Sequence, residues 1–137
     1  MNIQVDSGFD GAKMHELYEK MLSRFGLDRS APFSMSSVFP LTPAGDNDPS
    51  CVVDAVSKDP APFSIVVVAS CRASHVVGLF KLGGGRMLFF DPNLGEFFFP
   101  NILSAENFLN RVITTVYIPL KFDRGYSEHY WGRPATP

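Results

Sequence analysis

A chain of 137 residues with 45% hydrophobic content is long enough to bury a core without disulfides or metals, and one domain spanning 1–137 is expected. A formal charge of −2, with Lys and Arg scattered rather than clustered, argues against nucleic acid or an anionic membrane surface as partner. No apolar run approaches the roughly 20 residues of a transmembrane helix, and the opening MNIQVDSGFDGAK lacks the basic-then-apolar order of a secretory signal, so a soluble protein made in the cytoplasm, without membrane insertion, is expected.

The first element falls within residues 1–27. Met14, Leu17, Tyr18, Met21, Leu22 and Phe25 form one stripe at helical spacing, Ser7 or Asp10 is available as a cap, and Gly26 supplies a stop. Residues 28–50, with Pro32, Pro40, Pro43, Gly45 and Pro49, cannot be one regular element and are expected to be a long surface loop, of the kind that often lines a site. A sheet lobe is expected over 51–122. It opens with a helix of about two turns that has Cys51 in its first turn, where the helix N-terminus favours a thiolate. Cys51 is therefore a candidate nucleophile, although the valines that follow it are weak helix formers and a small buried residue is the plainer account. The two cysteines, Cys51 and Cys71, are expected to be free thiols, and the lone C-x-x-x-H from Cys71 to His75 is no zinc signature. The strand FSIVVVAS runs from Phe63 to Ser70.

The segment from His75 to Phe97, HVVGLFKLGGGRMLFFDPNLGEF, reads as a hairpin that turns over Gly83, Gly84 and Gly85. His75 and Asp91 are symmetric about Gly83. An antiparallel fold there sets them opposite each other or within one residue, and cross-strand Cβ atoms lie roughly 5 Å apart. A carboxylate that orients an imidazole is the back half of a nucleophile–base–orienter triad. The glycines form a turn and not a phosphate loop, for they lack the lysine and hydroxyl residue such a loop needs.

Beyond the hairpin, Phe97, Phe98 and Phe99 suit a strand buried on both faces. Ser104 caps a short helix, NFLNRVI, and Thr114 to Phe122 reads as a closing strand. Residues 123–137 are expected to be a tail whose Tyr126, Tyr130 and Trp131 pack over a sheet edge or bind a partner. His15 and His129 have no motif around them and read as surface histidines.

FSIVVVAS, HVVGLFK, FFDPNLGEFFF and ENFLNRVITTVYIPLKF together resemble the YopT/AvrPphB-type papain-like cysteine peptidases of bacterial effectors, over roughly the C-terminal half of the chain. The resemblance implies a general base at His75, an orienting carboxylate at Asp91, and a turn shaped by Asn93 and Gly95. It also implies a protein substrate, no cofactor and no metal, and synthesis in a bacterial cytoplasm with delivery to another cell. The family's nucleophilic cysteine lies on a helix further upstream than the 74 residues before His75 allow. The front of the domain is absent, or this is a short form, or another residue holds the role. Gly11-Ala12 opens the first helix much as a papain-like nucleophile helix opens, with alanine at that position.

The expected fold is α+β: helices packed on an antiparallel sheet of about four strands, as in the sheet lobe of a papain-like protein. The leading function is Cys-His-Asp hydrolysis of a peptide bond in a protein. A catalytically inactive descendant or fragment that binds a protein partner is the alternative, and transglutaminase-like acyl or amide transfer is the third.

Overall fold

Segments dense in β-branched and aromatic residues favour a pleated, half-buried surface, and most of them become strands. A computed structural model describes residues 19–27 and 33–131. The strands are β1 (Phe33–Met35), β2 (Phe39–Pro40), β3 (Phe63–Ala69), β4 (Ser74–Gly83), β5 (Arg86–Asp91), β6 (Gly95–Phe99) and β7 (Arg124–Tyr130). Helix α1 is Cys51–Ser57; helix α2, Ile102–Val112, continues into a π-helical turn, Ile113–Tyr117. The strands pair antiparallel in the order β6-β5-β4-β3-β7, with β1 and β2 both on the outer side of β7.

The α+β class with an antiparallel sheet holds, but the sheet has seven strands rather than about four. Two of the extra strands come from the expected loop at 28–50 and one from the expected tail at 123–137. β1 and β2 are three and two residues long, too short for alternation to register in sequence. The polar residues of β7 masked its strand character. Inside the sheet they satisfy one another: His129 lies between the hydroxyls of Ser64 and Ser127, each at 2.8 Å. His129 is thus buried and not a surface histidine. His15 and the expected helix up to residue 18 lie outside the described residues.

The helices divide the core into two. On one sheet face, Val52, Val53 and Val56 of α1 and Ala105, Leu109 and Val112 of α2 pack on Val66, Val68, Val77, Leu79, Met87 and Phe89. On the other, Met21 and Leu22 pack on Ile65, Val67, Val76 and Tyr130, and Arg24 lies over the Phe90 ring at 4.2 Å. Residues 19–24 are helical, and the stop expected at Gly26 is present: its φ is 72°, and Leu27 N–H bonds to the Leu22 carbonyl. That is the six-to-one bond of a Schellman motif.

Three further expectations change. Residues 114–122 are not a closing strand; their first part belongs to the helix and π turn. Ala105, Leu109, Ile113 and Tyr117 recur every fourth residue and are all buried, and that packing overrides the strand preference of Thr and Val. Asn101, not Ser104, caps α2, its side chain accepting the Ser104 N–H at 2.8 Å. β6 is an edge strand with an alternating pattern, Phe97 and Phe99 facing inward and Phe98 exposed.

Candidate functional site

His75 opens β4 and Asp91 closes β5, so both stand at the end of the hairpin away from its turn. Gly83, Gly84 and Gly85 all take positive φ, the conformation that lets the chain reverse there. The observed pairs, Gly78 with Phe90 through Lys81 with Met87, place the centre one residue later than Gly83, with a register shift between Lys81 and Gly83. Moving the centre by one residue moves the partner by two. Asp91 therefore falls beside Val77, diagonal to His75 rather than opposite or one residue away, and the two-residue step keeps both on one sheet face.

The diagonal still brings the groups together. His75 Nε2 lies 3.0 Å from Asp91 Oδ1, with both side chains essentially without exposed surface. The ring approaches off the N–H direction, so neither His75 nitrogen has an aligned hydrogen bond. The Asn93 backbone N–H donates to Oδ1 at 2.7 Å, the Leu94 N–H to the Asp91 carbonyl, and the Tyr117 hydroxyl to Oδ2 at 2.7 Å. Burial pushes the Asp91 carboxyl up, but His75, then Tyr117 and the Asn93 N–H, outweigh it and hold the group below the usual carboxylate range. Burial, then the Asp91 charge and hydrogen bond, push the Tyr117 hydroxyl well up, so it stays a donor. The result is a carboxylate with both oxygens engaged, beside an imidazole whose Nε2 faces it and neither of whose nitrogens has an aligned hydrogen bond. Such an arrangement can orient a general base.

Tyr117 carries no site expectation from sequence, because the strand reading of 114–122 gave it no face. The four-residue recurrence leading to it was the available signal.

Cys51 occupies a different place. It sits at the start of α1, where Ser50 caps the helix, and lines a cleft of about 460 Å³ with Asp59, His129, Met35, Ser36 and Phe39. That cleft includes neither His75 nor Asp91, and the His75 nitrogens have no thiol partner. Burial first, and the Lys81 charge, depress the His129 imidazole, with Asp59 opposing. Both of its nitrogens are held by serine hydroxyls. Cys71 is exposed, and both cysteines are free thiols. Ala12 lies outside the described residues. Among the described residues no three of His, Cys, Asp and Glu converge as a metal site requires, and no helix is long and apolar enough to cross a membrane.

A peptidase family model described as the Yersinia/Haemophilus virulence surface antigen matches residues 10–118. Among solved structures, the crystal structure of Pseudomonas avirulence protein AvrPphB is similar at 19% identity and a TM-score of 0.43, over 71% of this chain and 52% of that one. The chain spans about half the length of that protein. No curated protein matches it.

Proposed function

The chain belongs to the YopT/AvrPphB-type peptidase family that its hairpin resembles, and from that premise we propose a cysteine-peptidase-like effector domain that acts on a protein substrate, with His75 as general base and Asp91 as its orienting carboxylate. The observation that carries this reading is the 3.0 Å approach of His75 Nε2 to the buried Asp91 carboxyl. Nε2 is the nitrogen nearest the carboxylate, and a hydrogen bond closed there would leave Nδ1 to take a proton. A thiol presented there would become a thiolate, attack the peptide carbonyl, and pass its proton through His75 to the leaving amine. Backbone N–H groups around the nucleophile would hold the oxyanion.

Cys51 enters as the candidate nucleophile offered by the sequence, and the lack of any hydrogen bond between its thiol and the His75 ring nitrogens counts against it. That observation favours a second reading, a protein-binding module that keeps the His-Asp half of the site without cutting.

Alkylation by iodoacetamide separates the two readings, measured residue by residue with mass spectrometry from about pH 4 to about pH 9 in the parent and in His75→Ala. A cysteine that reacts fast near pH 6 and loses that reactivity in His75→Ala carries the peptidase reading. Two cysteines that titrate near the ordinary thiol value of about 8.5, with no response to His75→Ala, would sink it and leave the binding module.

A further inference from the structure

Tyr117 reaches the site from the element that packs on the same sheet face. α2 crosses the sheet face and ends in the π turn, where the Ile118 N–H bonds to the Ile113 carbonyl at 2.9 Å, five residues apart. π turns of this kind are rare and recur at functional sites. The phenol is buried among core residues including Ile113 and Phe122, and the Phe122 ring lies 6.2 Å from its own in an edge-on arrangement. Its hydroxyl could be satisfied in many ways, and it is spent on Asp91 Oδ2 at 2.7 Å. The tyrosine ring also flanks the imidazole, with centroids 6.1 Å apart.

The division of donors around the carboxylate is what matters. Oδ1 receives the Asn93 backbone N–H and faces His75; Oδ2 receives Tyr117. A carboxylate held by one backbone donor alone can rotate about its Cβ–Cγ bond and exchange the oxygens it shows to the histidine. A second donor, fixed from another element, closes that rotation. We propose that Tyr117 is a positioning residue of this site: its hydroxyl fixes the plane of Asp91, so that Oδ1 is the oxygen presented to His75 Nε2 and Nδ1 is the nitrogen turned away from the carboxylate. The inference rests on the His75–Asp91 reading above and adds the residue that sets its geometry. It also joins the π turn to the hairpin, so the site depends on how α2 ends as well as on the two strands.

The test is an NMR titration of the full chain and of Tyr117→Phe, following the Asp91 carboxyl carbon and the His75 ring nitrogens. Neither signal requires turnover, so failure of the peptidase reading by alkylation and failure of this one are separate results. In Tyr117→Phe the Asp91 midpoint rises by about one pH unit or more, because one hydrogen bond to the charged form is gone. The two His75 nitrogens, well separated in the parent where one tautomer dominates, move toward averaged shifts. A tyrosine that only fills the core would lower stability and leave both signals in place; that outcome overturns the proposal. Should Tyr117→Phe fail to fold, the parent decides alone. The Tyr117 carbon that bears the hydroxyl shifts with the Asp91 midpoint if the two are coupled, and a carbon silent through that midpoint overturns the proposal.

Discussion

Asp91 is a carboxylate with no exposed surface, held by His75, the Tyr117 hydroxyl and the Asn93 N–H. Its pKa is lower in the folded chain than the roughly 3.9 of an unfolded aspartate. The folded state therefore binds fewer protons, so stability rises with pH. The contribution is fully present above the unfolded value and is lost as pH falls through the folded one. Asp91→Asn removes that titration. Urea unfolding from about pH 2 to about pH 7 should show a lower plateau near neutrality, by about 1–3 kcal/mol, and a shallower acid limb than the parent. An acid limb identical to the parent's would mean that Asp91 is not depressed. The candidate base and its carboxylate were legible in sequence only as neighbours at the open end of a glycine-turned hairpin; the register that sets them on a diagonal was not. Tyr117 was not, because its contact is with a residue 26 positions away on another element.

At the scale of elements, the pairing of β2 with β7 is held by a packing choice. Phe39 lies opposite Gly125, and a Cβ at Gly125 would come within 3.0 Å of the Phe39 ring and 3.2 Å of the Val67 carbonyl oxygen. The glycine lets the aromatic ring lie across the strand, a device that restores packing where a strand has no side chain. Gly125→Ala should cost about 1–3 kcal/mol and should speed hydrogen exchange at the Leu41 amide, which bonds to the Asp123 carbonyl beside β2. Exchange unchanged at Leu41, whatever the loss of stability, would show that β2 does not depend on this contact. The β4–β5 hairpin and the stop at Gly26 follow from local glycine chemistry, and both are readable. The fate of 114–122 is not. Thr114, Thr115 and Val116 favour a strand by propensity, and only the core under α2 decides that the segment stays helical.

For the whole molecule, β7 is the consequential strand. It lies between β3 on one side and β1 with β2 on the other, though it is the last of the described strands in sequence. Truncation after Phe122 would leave β3 with an open edge, β1 and β2 without a partner, and the Ser64 hydroxyl without His129. The truncated chain should lose its cooperative urea transition and bind a hydrophobic dye, whereas a cooperative transition near the parent midpoint would show that β7 is dispensable. The sequence alone determined the α+β class and the hairpin and brought His75 and Asp91 to the same end of it, though not their register. Each of these rests on short-range pattern: strand composition, a glycine turn and a two-residue period. Tertiary structure decided the rest. It drew β1, β2 and β7 into the sheet, buried His129 between two serines, put Cys51 on the cleft beside His129, and brought Tyr117 to Asp91. Those outcomes depend on contacts between residues far apart in the chain, whose energy comes from burial and from pairing polar groups away from water, and no local period records them.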